Sequence, residues 1–85
     1  MASKKRDPIT VAEWRRSRRE RIRIRLQQYR GRNVVSLWTF WTDEDGKEHA
    51  GRHGISLDVS HTPKLAKGFK RAERRAKKIG LLDEE

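Results

Sequence analysis

Residues 29–57, YRGRNVVSLWTFWTDEDGKEHAGRHGISL, read as a strand end, a tight turn at Arg30–Arg32, an aromatic strand, an acidic turn at Asp43–Gly46 and a glycine-bearing strand. Gly31 suits a short hairpin connection, where one or both central residues need positive φ. Side chains alternate along a strand, so Val34 to Trp41 places Val35, Leu37 and Thr39 on one face. Ser36, Trp38 and Phe40 then point the other way. Gly46 supplies the left-handed conformation that closes the acidic turn. Gly51 and Gly54, inside the strand Lys47–Leu57, predict a bulge or bend.

Upstream, Ile22, Ile24 and Leu26 alternate with Arg21, Arg23 and Arg25, so residues 21–29 predict a strand with one apolar and one cationic face. Residues 9–14, ITVAEW, suit a short strand through Ile9 and Val11, although Thr10 and Glu13 also stand at capping-box spacing. The strand reading is preferred. Residues 1–8 form a small, basic segment ending in Asp-Pro, expected as a flexible arm. Downstream the period becomes helical. Leu65, Phe69, Ala72, Ala76 and Ile79 make a stripe spaced 4, 3, 4, 3, with Thr62 as cap, Pro63 in the first turn and Gly80 at the end. Gly68 within that helix permits a close approach. Residues 83–85 are an acidic tail, which leaves 9–82 as the folded domain.

The predicted order β-β-β-β-α is an α+β fold: a four-stranded antiparallel sheet followed by one C-terminal helix. One sheet face is expected under the helix and the other open. Eighty-five residues with 33% hydrophobic content give a thin core, and the absence of cysteine excludes disulfides and Cys-based zinc sites. Association with a second copy is the expected stabiliser.

The net charge of +10 points to a polyanionic partner. Met1–Arg32 holds 12 basic and 3 acidic residues, Asn33–Leu57 holds 2 and 4, and Asp58–Glu85 holds 8 and 5. The charge is therefore concentrated at the N-terminal third and along the helix. No apolar run approaches membrane-spanning length and no secretory h-region follows the N-terminus, so an intracellular protein without a membrane partner is expected.

Cations and flat rings interleave on this sheet. Rings stack on unpaired bases and cations sit on phosphates, the pairing that single-stranded nucleic acid requires. The open face is predicted to carry Arg23, Arg25, Ser36, Trp38 and Phe40, with Arg30 and Arg32 in the adjacent turn. Trp41 shares the parity of Val35 and Leu37, which leaves its side open between core and ligand, and Tyr29 is expected nearby as a partner in stacking. His49 and His53 lie roughly 13 Å apart at about 3.3 Å per strand residue, too far to share an ion. No metal, no cofactor and no catalytic residue is expected, because no phosphate loop, nucleophile elbow or paired catalytic carboxylate is present.

Between Ile9 and Ile79 the chain resembles the single-stranded-DNA-binding domain of the transcriptional coactivator positive cofactor four and its bacterial relatives. The resemblance rests on Gly51-Arg52-His53-Gly54-Ile55-Ser56-Leu57, on Tyr29-Arg30-Gly31-Arg32 and on their spacing through the aromatic strand and acidic turn. It implies a homodimer of curved sheets braced by C-terminal helices, with Leu65, Phe69, Ala72, Ala76 and Ile79 at the dimer contact. It implies stacking by Tyr29 and Trp41 and backbone contacts by Arg30, Arg32, Arg52 and His53. Trp38 stands where the family has an arginine, and His53 where it has a lysine, which makes any charge there pH-sensitive.

The function so implied is a dimeric single-stranded-DNA-binding protein acting in transcription or DNA maintenance, with transcription machinery as a further partner. Two other readings compete. One is a duplex-DNA reader that lays a basic sheet in the major groove. The other is a basic adaptor for an acidic polypeptide. RNA is a third class of nucleic-acid ligand, since stacking and phosphate contacts do not identify the sugar.

Overall fold

The computed structural model describes residues 8–83; the predicted arm at 1–8 and tail at 83–85 fall almost wholly outside them. Four strands, β1 (Ile9–Arg15), β2 (Glu20–Tyr29), β3 (Arg32–Thr42) and β4 (Glu48–Asp58), form one antiparallel sheet in sequence order. A 3-10 turn (Val59–His61) leads into helix α1 (Thr62–Lys78). The expected α+β order is therefore observed.

Residues 9–14 are strand, with a bulge that the sequence pattern did not reveal. Thr10 pairs with Arg25 and Ala12 with Ile24, leaving Val11 as the extra residue. The bulge resets the phase, so that Trp14, opposite Ile22, joins Ile9, opposite Leu26, on the apolar face. On β2 and β3 the register is unbroken from Glu20↔Trp41 to Tyr29↔Arg32. Arg30 (φ 51°) and Gly31 (φ 79°) are both left-handed, the requirement of the tight hairpin turn that matches strand twist.

An arginine at φ 51° is strained, by roughly 1–2 kcal/mol for a residue with a Cβ. Arg30→Asn, which tolerates that conformation, should raise the melting temperature by a few degrees while removing a cation. Thermal unfolding followed by circular dichroism measures it. A lowered melting temperature would mean that the Arg30 side chain itself holds the turn.

The helix does not cover a face of the sheet, contrary to the expectation. Its contacts run to the preceding Val59–His61 turn, and Phe69 (62%) and Ile79 (59%) are exposed. Thr62 is not the cap either: His61 occupies that position without a capping side-chain bond, while Asp58 accepts from the Ser60 N–H and caps the 3-10 turn. That hydrogen bond holds the Asp58 carboxyl below its ordinary range. Capping was thus shifted upstream, where Asp58 ends β4 and the turn aims α1 away from the sheet.

The apolar face carries Ile22, Ile24, Leu26, Val35, Leu37 and Leu57, in register across β2, β3 and β4. Only Val35 among the described apolar residues is buried; the others are partly open. The chain exposes 7863 Å², whereas a compact monomer of its mass exposes about 5,300 Å². Its radius of gyration, 15.8 Å, likewise exceeds the roughly 12 Å expected at this length. The apolar sheet face is left partly open, and the helix stripe exposes Phe69, Ala72 and Ile79.

Candidate nucleic-acid interface

The polar face is roofed by its own side chains. Glu13 on β1 accepts from Arg21 and from Arg23 Nε, each at 2.9 Å, and Arg23 reaches Glu48 on β4 with its other nitrogens. The guanidinium of Arg23 lies 4.6 Å from the Phe40 ring centroid, and that of Arg25 lies 5.1 Å away. Glu48 holds the Arg23 pKa above its ordinary value, and Arg23 with Arg21 holds the Glu13 carboxyl below its own. Arg23 is thus engaged by two carboxylates and a ring. Arg25 has no ion pair among the described residues; its Nε approaches Thr10 Oγ1 at 3.5 Å.

Trp38 and Phe40 were expected to stand open to solvent, and they do not. Both are half-buried. The Trp38 indole lies flat on Gly54, where an added Cβ would fall 2.1 Å from the ring, and its Nε1–H donates to the Gly51 carbonyl at 2.9 Å. Phe40 is covered by the two arginines. Long cross-strand side chains, not the strand period, decided this.

Trp38 and Thr39 together fix a wide bulge in β4. Trp38 pairs with Gly54 and Phe40 with Ala50, so Gly51, Arg52 and His53 stand opposite Thr39 alone. Thr39 Oγ1 donates to the His53 carbonyl at 3.0 Å. The backbone is clamped on both sides, and the Arg52 and His53 side chains are left exposed. Gly54→Ala should cost about 1–3 kcal/mol by driving a methyl into the indole. Urea unfolding would read that loss, and a wild-type midpoint would show that Trp38 is not packed there.

The two outermost rings remain accessible. Tyr29 is 60% exposed with Arg30 5.3 Å from its ring centroid. Trp41 is 42% exposed and stacks on His49, centroids 4.5 Å apart and planes 27° apart. His49 Nε2 is bonded to Asp43 at 2.7 Å, and Asp43 Oδ1 also accepts from the Asp45 and Lys47 backbone N–H groups. The His49 bond, reinforced by those amides, holds the Asp43 carboxyl below its ordinary range. The acidic turn therefore serves as a clamp on the imidazole under Trp41.

Tyr29 and Trp41 do not form one platform. Trp41 pairs with Glu20 and Tyr29 with Arg32, at opposite ends of the β2–β3 ladder. Nine residues of strand separate them, about 30 Å. In an antiparallel pair the end of one strand faces the start of the next, so the two strand ends cannot meet. Each ring instead has cations of its own. Arg30 and Arg32 flank Tyr29 in the hairpin.

Beside Trp41 stands a cluster that sequence reading passed over. The β1–β2 connection, Arg16–Arg19, closes through Arg16 and Ser17 N–H donors to the Glu20 carbonyl, and the Thr42 N–H donates to the Arg19 carbonyl. Arg15, Arg16, Arg18 and Arg19 are exposed at that tip, and among the described residues only Arg16 of the four is in an ion pair, to Glu20 at 3.8 Å. The run RRSRR between two strands was the available signal. Among the described residues no group of three or more His, Asp or Glu is placed to hold a metal ion, and no helix is long and apolar enough to cross a membrane.

Residues 14–68 match the model of the family described as Transcriptional Coactivator p15 (PC4). A PC4 homologue from Burkholderia pseudomallei is 32% identical in its orthorhombic crystal form, with a TM-score of 0.71 over 85% of this chain and 97% of that one. A bacteriophage T5 homologue of the coactivator, implicated in recombination-dependent DNA replication, has a TM-score of 0.57 at 16% identity, covering 87% and 94%. The MoSub1 protein, solved in complex with DNA, has a TM-score of 0.60 at 19% identity, covering 87% and 90%. These last two share the fold. Comparison with curated protein sequences yields no match.

Proposed function

This chain belongs to the transcriptional coactivator p15 (PC4) family, and on that premise we propose that it is a homodimeric single-stranded-DNA-binding protein acting in transcription or DNA maintenance. The observation that carries this reading is Trp41: a large ring, exposed, immobilised by His49 and set beside an arginine-rich tip. A solvated ring of that size has no folding benefit, whereas a fixed, exposed ring is what an unstacked base needs. Tyr29, exposed with Arg30 beside it, offers a second ring at the other end of the β2–β3 ladder, with the strand parity of Arg23 and Arg25. Arg25, Arg30, Arg32 and Arg52 supply phosphate contacts, His53 a weaker one, and Trp38 and Arg23 hold the surface that presents them.

Exposed apolar area supports the dimer. The apolar sheet face is partly open in one copy, and the Leu65–Phe69–Ala72–Ala76–Ile79 stripe exposes Phe69, Ala72 and Ile79. A second copy covers both at once. Gly68 fits this arrangement, since a Cβ there would meet nothing within 4 Å in the protomer and so leaves room for a close neighbour.

Groove reading of duplex DNA is disfavoured by Glu13 and Glu48, whose carboxylates lie in the face that would enter the groove. Transcription machinery and DNA-repair or replication intermediates are the settings in which an unpaired strand is presented.

Tryptophan fluorescence tests the reading. Saturation with an unlabelled single-stranded oligonucleotide should quench emission, and Trp41→Phe, which keeps a stacking ring, should retain binding while losing most of the quench. Saturated binding without any change in emission would contradict stacking on Trp41.

A further inference from the structure

Helix α1 carries a second period beneath its apolar stripe. Lys67, Arg71, Arg74 and Lys78 are spaced 4, 3, 4, the same rhythm as Leu65, Phe69, Ala72 and Ala76 shifted by two residues. Two residues of helix turn about 200°, so the cations point away from the stripe. Lys64, Lys70, Arg75 and Lys77 widen this ridge, and Glu73 is the single acid in the helix. The only ion pair of α1 among the described residues is Lys77–Glu73, at 3.8 Å. The contrast with the sheet is sharp: there Arg21 and Arg23 are matched by Glu13 and Glu48.

Such a helix is not arranged for its own stability. Lys67–Arg71, Arg71–Arg74 and Arg74–Lys78 are like-charge pairs at the spacings where side chains meet, and each opposes helix formation. Lys64 and Lys67 stand in the N-terminal part, where the helix dipole disfavours cations, and the first turn holds no acid. Solubility alone is served as well by mixed charges. A polyanion laid along the ridge relieves all of these repulsions together.

We propose that the outer ridge of α1 is a second nucleic-acid site, one that grips the phosphate backbone of duplex DNA without reading its sequence. From Lys67 to Lys78 the ridge is about 16 Å long at 1.5 Å per residue. A duplex presents roughly ten phosphate charges in that length at one per 1.7 Å. No ring stands on the ridge, so it has nothing to offer an unstacked base, and its ligand is the regular charge of a backbone. The apolar stripe opposite remains available for the second copy. The assignment goes beyond the single-strand reading of the sheet and does not rest on it.

The test is the variant Lys67→Gln/Arg71→Gln/Arg74→Gln/Lys78→Gln, glutamine being a good helix former that leaves the apolar stripe intact. Binding of a labelled random-sequence duplex is measured over a range of salt, alongside a single-stranded oligonucleotide and phosphatidylserine vesicles. Four lost contacts should flatten the logarithmic salt dependence for duplex by about 3.6, at 0.9 per contact. Single-strand affinity should change less than twofold, and wild-type protein saturated with single strand should still take up duplex. An unchanged duplex slope in the variant overturns the proposal, as does displacement of duplex by stoichiometric single strand. Tighter binding to vesicles than to duplex at equal phosphate would assign the ridge to a lipid surface instead. Trp41→Ala separates the two readings: it leaves the duplex slope intact whether or not the sheet binds single strands.

Discussion

Trp41→Ala should weaken binding to single-stranded DNA by about 5- to 150-fold, the range that corresponds to 1–3 kcal/mol of stacking per ring. The expected value lies toward the upper part of that range because the ring is fixed before ligand arrives. His49 stacks under it, and Asp43, itself held by two backbone N–H groups, fixes the imidazole. A base that stacks there orders no further side chain. The substitution should disturb folding little, since Trp41 lies at the end of β3 and is already open to solvent. Fluorescence anisotropy with a labelled oligonucleotide reads the loss. Duplex affinity should stay nearly constant, because paired bases cannot reach the ring. Equal losses on single strand and duplex, or a loss explained by a lower melting temperature, would count against stacking.

Phe69→Glu should convert the proposed dimer into monomer and lower the melting temperature by more than about 10 °C. Burying a phenylalanine contributes about 1.5–3 kcal/mol, and a twofold interface loses it twice. A buried, unpaired carboxylate adds a further cost. A loss of about 3 kcal/mol corresponds to roughly 12–24 °C in a domain of this size. The effect is large because one copy has so little else: Val35 is its one buried apolar side chain among the described residues. Sedimentation equilibrium gives the mass directly. Wild type that sediments as a 10.1 kDa monomer, or a variant that keeps the wild-type mass and melting temperature, would refute a dimer held through the helix.

The strands and the helix were legible because their signals are local. Alternating isoleucines and arginines fix β2, Arg30-Gly31 fixes the turn, and Gly51 with Gly54 announces the bulge in β4. The helical stripe from Leu65 to Ile79 is equally local, but what it packs against is not. The sequence pattern placed it on its own sheet, where the structure leaves it bare. The short Val59–His61 turn, capped by Asp58, sets that direction.

The chemistry of the sheet surface was harder to read. Whether Arg23 meets a phosphate or a carboxylate depends on Glu13 and Glu48, 10 residues before it and 25 after it in the chain. Trp38 and Phe40 have the parity expected of exposed rings, yet one lies down on Gly54 and the other sits beneath two guanidiniums. Strand parity left Trp41 open between core and ligand, only the family resemblance marked it with Tyr29 for stacking, and the separation of the two rings follows only from the register. His49 was weighed as a metal ligand, and its neighbour is instead a tryptophan. The bulge at Val11 shows the same limit from the backbone side: a single extra residue moved Trp14 to the other face.

The most direct test of the account is the ratio of single-strand to duplex affinity of the wild-type protein as salt is raised. Contacts to phosphate fade with salt, at about 0.7 per contact on single strands and 0.9 on duplex, whereas stacking on Trp41 and Tyr29 does not depend on counterion release. The ratio should favour single strand and grow with salt, with single-strand binding persisting after duplex binding is lost. Duplex binding that equals or exceeds single-strand binding throughout, with both vanishing together, would contradict it.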